Sequence, residues 1–247
     1  MKRLFILLLL SSCVVCAFAQ TYSQRRWHFS VKLGDNIGAA TPLSIPVEIR
    51  EIKEFTPHFS PSAEVAAALR LGTSWSLNMG VRVERMSMTT CARVKTYSTE
   101  IVRDDSHLSG VWTGDVETRF SAAALTVPVS VGLSLGSVTT LRAGFYGSFL
   151  MHREFGGNVY EGYLRQGDPT GPKIVFEGDD SASYEFNDDL RQWQWGAMLA
   201  ADFTICHHIL LSAQLSYGFM NIFRSDFKTV SFAMHPIFGN LSVGYTF

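Results

Sequence analysis

Between Leu125 and Leu135 the chain alternates without a miss. Leu125, Val127, Val129, Val131, Leu133 and Leu135 hold the odd positions, and Thr126, Pro128, Ser130, Gly132 and Ser134 the even ones. A period of two sends each set to its own face of a β-strand. Such a strand needs an apolar medium on one side and a polar one on the other. The stretch 209–219 repeats the pattern, with Ile209, Leu211, Ala213, Leu215, Tyr217 and Phe219 against Ser212, Gln214, Ser216 and Gly218; Leu210 departs from it. The stretch 191–205 sets Trp193, Trp195, Leu199, Phe203 and Ile205 against Gln194, Gly196, Asp202 and Thr204.

Eight strands are expected, at 26–34, 62–71, 75–89, 119–135, 138–151, 191–205, 208–220 and 236–247. Gly72-Thr73-Ser74, Gly136-Ser137 and Cys206-His207 are short enough for tight turns. Longer polar segments, 35–61, 90–118, 152–190 and 221–235, stand between them. Short turns on one side and long loops on the other are the habit of outer-membrane barrels. The expected fold is therefore all-β, an eight-stranded antiparallel up-and-down transmembrane β-barrel, with both termini on the short-turn, periplasmic side. Pro128 cannot donate to a ladder, so a bulge or a break in pairing is expected there.

A soluble barrel also alternates, with its polar face outward. Three features favour lipid. The polar face is rich in Gly, Ser, Thr and Asn and poor in charge, which suits a narrow lumen. Aromatic residues gather at strand ends. Trp27, Trp75, Phe203, Tyr245 and Phe247 fall at one end, and Phe149, Phe155, Trp193, Trp195, Tyr217 and Phe219 at the other, as two interfacial girdles would. The chain also closes on a strand whose last residue is Phe247. A terminal Phe is similar to the signal read by the bacterial barrel-assembly machinery.

At the other end, Lys2 and Arg3 precede the apolar run Leu4–Leu10, and Ala17-Phe18-Ala19 precedes Gln20. This is the anatomy of a secretory signal peptide, giving residues 1–19 as signal and 20–247 as the barrel domain. Leu10-Ser11-Ser12-Cys13 offers a second reading, a lipobox that would leave Cys13 lipidated. Cleavage before Gln20 removes Cys13 and Cys16, leaving Cys91 and Cys206. The expected topology sets these at opposite barrel ends as free thiols, too far apart to bridge. Formal charge is −1 with no Lys/Arg cluster, so nucleic acid is not an expected partner.

Leu125-Thr126-Val127-Pro128-Val129 followed by Val131-Gly132-Leu133 resembles the central strand of the Bacteroidetes outer-membrane β-barrel domain family, often called PorT-like. The Ala19-Gln20 site, the opening strand Trp27–Gly34 and the closing Gly244-Tyr245-Thr246-Phe247 are similar to that family as well. The resemblance implies an integral place in the cell outer membrane. It also raises a role as an accessory factor of type IX secretion.

Strand parity sends Lys32, Glu64, Arg70, Arg82, Glu84, Arg142 and Asp202 into the lumen, with His28 near the periplasmic end. An eight-stranded interior is just filled by side chains, and buried charges need partners. A charge-paired plug is expected. The alternative is a narrow pore or transporter component lined by Arg70, Arg82 and Arg142.

Catalysis needs nucleophile, base and orienting group in hydrogen-bond reach. The candidate bases are His28, His58, His107, His152, His207, His208 and His235. His152 shares a strand face with Ser148, but four residues of strand separate them by roughly 13 Å. Adjacent His207 and His208 point to opposite faces and do not chelate together. No enzyme activity, metal or cofactor is expected.

The third long segment carries Glu154, Glu161, Asp168, Glu177, Asp179, Asp180, Glu185, Asp188 and Asp189 without EF-hand spacing, and a hydrated acidic loop is expected. Tyr97, Trp112, Tyr160, Tyr163 and Tyr184 are candidates for a recognition surface. The expected role is structural or interactive, through long extracellular loops. Outer-membrane lipid, lipopolysaccharide, the assembly machinery and an unidentified protein at the loops are the expected partners.

Overall fold

In the computed structural model, which describes residues 26–103, 106–205 and 208–247, the chain is all strand and connection. Ten strands appear among the described residues: β1 Trp27–Thr41, β2 Ile49–Pro57, β3 Pro61–Arg70, β4 Trp75–Arg103, β5 Ser106–Leu135, β6 Thr139–Gln166, β7 Lys173–Glu185, β8 Trp193–Ile205, β9 Ile209–Gly218 and β10 His235–Thr246. That is two more than the eight expected: β2 and β7 fall in segments expected as loops and are not members of the closed ring. The signal peptide, Cys13, Cys206, His207 and the side chains of His107 and Asp179 lie outside the described residues. No described helix is long and apolar enough to cross a membrane.

The pairing is antiparallel throughout and closes on itself. β1 pairs with β3 and β10, β3 with β4, β4 with β5, β5 with β6, β6 with β8, β8 with β9, and β9 with β10. A ring without an edge is what lipid requires, since no water is there to satisfy free backbone groups. Its outward side chains form an apolar band that includes Leu33, Val65, Val81, Val127, Leu199 and Val243, all exposed. The Leu125–Leu135 run covers about 34 Å of strand at roughly 3.4 Å per residue. A tilt of about 45° brings that to ~25 Å, the height of an outer-membrane apolar band.

Pro128 interrupts one ladder only. The β4–β5 register passes Met79↔Val129 and resumes at Arg82↔Thr126 without slipping. Toward β6 the pairing Pro128↔Tyr146 is kept. The missing N–H breaks pairing locally and produces no bulge at that point.

The segments expected as loops are largely strand. β4, β5 and β6 run far past the ring, β2 pairs along β4, and β7 pairs along β6 and touches β4 through Val102↔Ser183. These pieces wrap a core of their own, in which Ile101, Trp112, Val159, Leu164, Phe176, Ile222 and Phe223 are fully buried. The connection before β10 contributes Val230 and Met234 to it.

The strands change solvent as they climb. On β4 the inward residues run Asn78, Gly80, Arg82, Glu84 and then Met86, Met88, while the outward ones run Met79, Val81, Val83 and then Arg85. On β5 inward Ser130 and Thr126 give way to Ala124, Ala122 and Phe120, and outward Val127 and Leu125 to Ala123, Ser121 and Arg119. Val83↔Leu125 and Met86↔Ala122 are ladder partners, so both strands invert at one height. Below it the outside is apolar, as lipid demands; above it the inside is apolar, as water demands.

On β6 this boundary holds a bulge. Ala124 pairs with Leu150 and Ala123 with His152, leaving Met151 as the extra residue. Further out, shifts at Val94/Tyr97, Thr113/Asp115 and Tyr160/Gly162 bend the extension into a closed form. Gly114 lies in the left-handed region at φ 156°, and a Cβ there would stand 2.6 Å from the Gly162 Cα. Glycine at both positions lets the two backbones cross above the Trp112 ring.

Candidate functional site

The lumen gathers six of the seven charges expected there. Lys32 Nζ meets Glu64 Oε1 at 2.5 Å. Arg82 donates through Nε to Glu64 Oε2 at 2.7 Å and through Nη2 to Gln214 Oε1 at 2.7 Å. Its Nη1 lies 3.6 Å from Glu84. Lys32, Glu64 and Arg82 each keep 4% of their surface exposed. On the far wall Arg142 donates through Nη2 to Asp202 at 2.9 Å while its Nε lies 2.6 Å from the same carboxylate, and Ser212 donates to that carboxylate at 2.6 Å. Three cations face three anions, so the buried network carries no net formal charge.

Neutral side chains of the same parity complete it. Glu84 accepts from Thr126 at 2.5 Å and from Asn36 at 3.2 Å. Asn240 donates to Asn36 at 2.9 Å and Ser62 at 2.8 Å, and Thr126 shares a bond with Ser148 at 2.7 Å. None of these is among the lumen residues expected from the sequence, although even numbering alone would have placed them inward. The network is thus a continuous polar filling, with each charge compensated.

Arg70 does not join. It ends β3 at the rim and is exposed, because β3 stops where the turn to β4 begins. The expectation that it lines the lumen is corrected. Above the network, between Arg82, Glu84, Tyr146 and Gln194, the remaining space is about 10 Å³, room for about one water.

Of the aromatic residues expected at the two interfaces, all but Phe155 face away from the lumen on the outside of the ring. Trp27, Trp75, Tyr245 and Phe247 sit at the end carrying the tight turns, where Tyr245 and Phe247 pack with centroids 5.0 Å apart. At the other end Phe149 meets Trp193 at 4.9 Å, Trp195 meets Phe219 at 5.1 Å, and Tyr217 meets Phe219 at 5.6 Å. Phe155 is buried in the outward core, a correction to its place in the girdle. Trp112, Tyr97 and Tyr184 are buried there too, which corrects their candidacy for a recognition surface.

No catalytic constellation assembles among the described residues. The Met151 bulge separates the pair considered in the sequence: Ser148 points inward to Thr126, whereas His152 points outward, 3.0 Å from Glu154. His208 lies beside the last strand, its Nδ1 3.0 Å from the Thr246 carbonyl. No three described His, Cys, Asp or Glu side chains converge as a metal site would require. Cys91 is a free thiol.

Outside the ring, Asp115 is nearly fully buried and holds three strands together. Arg93 on β4 donates to it at 2.8 and 3.0 Å, and Lys53 on β2 at 2.6 Å. Burial alone would raise its pKa; the bonds from Arg93 and Lys53 and their positive charges outweigh this and lower it.

The family profile described as "Outer membrane protein beta-barrel domain" matches residues 18–224. Among solved structures, Ail, the attachment invasion locus protein of Yersinia pestis, is similar at 9% identity and a TM-score of 0.40, over 90% of this chain and 100% of that one. Neisserial surface protein A is similar at 11% identity and 0.38, over 90% and 96%. OprG from Pseudomonas aeruginosa is similar at 10% identity and 0.39, over 91% and 98%. No curated protein sequence matches the chain.

Proposed function

The chain belongs to the outer membrane protein β-barrel domain family, and from that premise we propose that its barrel is a non-enzymatic anchor whose specific work is done by the outward β-extension. The observation that carries this reading is the filled lumen. Six charges pair across it and the space between Arg82, Glu84, Tyr146 and Gln194 holds about one water. A conducting path would need those pairs pulled apart and the polar side chains packed around them moved aside. The extension, by contrast, is a separately cored body at the end away from the tight turns. Its surface is available for interaction with a protein or with lipopolysaccharide.

Trp27, Phe247 and the tight turns share one end of the ring, which supports a periplasmic location for both termini. Phe247 is the proposed assembly signal, and the aromatic ends of the strands are the proposed contacts with the lipid headgroup layers. Planar-bilayer recording tests the anchor reading. Silence is expected, and discrete openings altered by Arg82→Ala would replace the anchor with a narrow pore. The strand 125–133 also favours a PorT-like accessory role in type IX secretion as a second reading. Deleting the gene and assaying secreted cargo tests it, with unchanged secretion removing it.

A further inference from the structure

Above the lumen network the outward extension encloses a second, larger space of about 170 Å³. We propose that this is a binding site for a small uncharged apolar molecule, a single aromatic ring or the end of an acyl chain. Its walls come from β1, β2, β4, β5, β6 and the connection before β10. None of the residues around it carries an Asp, Glu, Lys, Arg or His side chain. Met88, Val94, Val116, Phe155, Phe232 and Met234 are among the residues that line it.

The threonine hydroxyls on the wall are already engaged. Thr118 is bonded to Tyr184 at 2.7 Å, Thr90 donates to the Met88 sulfur at 3.2 Å, and Thr41 donates to the Pro42 carbonyl at 3.4 Å. The β-ladders take up the backbone of the flanking strands. A charged ligand would therefore lose its water and gain no counter-charge, which this site rejects. An apolar ligand gives up no hydrogen bonds on entry, and a dry apolar cavity of about 150 Å³ is already large enough to hold benzene.

The rim fits the same chemistry. Ile45, Ile52 and Phe55 stand at the mouth and are respectively 64%, 52% and 44% exposed. Bulges between Ile49 and Glu51 and between Ile52 and Glu54 bring Ile49, Ile52 and Phe55 to one face of β2, opposite Val94, Ala92 and Thr90. The charged residues of β2 are turned from that face, and Lys53 is tied to Asp115 instead. The apolar entrance is built by those two irregularities in a strand that otherwise reads Arg-Glu-Ile-Lys-Glu.

The test uses the full chain in phospholipid nanodiscs with 4-fluorotoluene as probe, followed by fluorine NMR. One saturable bound resonance per chain is expected, absent from empty nanodiscs. Ala92→Trp, and separately Val94→Phe, should weaken binding at least tenfold while heat-modifiable gel migration shows the barrel still folded. Native mass spectrometry of the unligated protein separates the sources. A retained lipid displaced by the probe identifies an acyl tail; binding with no retained lipid identifies a free small molecule. No saturable resonance together with no retained lipid overturns the proposal, as does binding that both folded variants leave unchanged.

Discussion

Trp112 on β5 packs edge-on against Phe176 on β7, with centroids 5.2 Å apart and ring planes at 73°. Both are fully buried, and they lie outside the ring of strands that would cross the membrane. This contact joins β7 to β5, together with the bonds of Tyr184 to Thr118 and to the Glu117 carbonyl, and the Val102↔Ser183 pairing joins it to β4. Trp112→Ala is expected to cost about 3–5 kcal/mol of local stability. Limited proteolysis should then cut within 90–118 and 152–190 while heat-modifiable migration of the barrel persists. Trp112→Phe should be far milder, because the buried indole N–H has no hydrogen-bond partner to lose.

Glu64 carries the lumen network, since Lys32 and Arg82 both lean on its carboxylate. Glu64→Gln leaves two buried cations with one anion fewer. A loss of about 3–5 kcal/mol is expected, as for other buried pairs broken from one side. The temperature at which the folded band disappears on a gel should fall clearly. Arg70→Gln, at the exposed rim, should leave that temperature unchanged.

The parts of this fold that were legible in the sequence are those where one rule held over a strand, with Leu210 the one departure in the two clearest stretches. In 125–135 and 209–219 the faces never exchange, so odd and even numbers suffice to separate lipid from lumen. The same parity pointed to the Lys32, Glu64 and Arg82 cluster. The extension was not legible because two things change together there. The inward face turns from polar to apolar above Glu84, and irregular residues break the period: Thr96 at φ 59° and Glu161 at φ 47° both sit in the left-handed region. A segment with inverted polarity and shifted parity looks like mixed polar loop. Arg70 failed for another reason: parity gives a direction but not the point where a strand ends.

Orientation can be checked at single residues. Val47 is 78% exposed on the connection between β1 and β2, and Ser137 is exposed on the tight turn between β5 and β6. In a background with Cys91 and Cys206 changed to Ser, Val47→Cys should react with a membrane-impermeant maleimide on intact cells. Ser137→Cys should react only after the outer membrane is opened. The reverse pattern would invert the proposed topology.

The Asp115 junction should make the attachment of β2 to the extension sensitive to acid. Its pKa is lowered in the folded protein, against the pull of burial, by Arg93 and Lys53. A depressed folded pKa contributes stability that is present above the unfolded value, about 3.9, and is lost as pH falls through the folded one. Above about pH 4 the carboxylate therefore holds β2 and β4 to β5; below it, protonation progressively releases Lys53 and Arg93. Protection of the β2 amides, Ile49–Thr56, measured against their intrinsic exchange rates at each pH, should fall on acidification below that point. Asp115→Asn should show the lowered β2 protection already at neutral pH, with no further loss on acidification. Equal exchange in the variant and the parent at neutral pH would mean that backbone pairing alone secures β2.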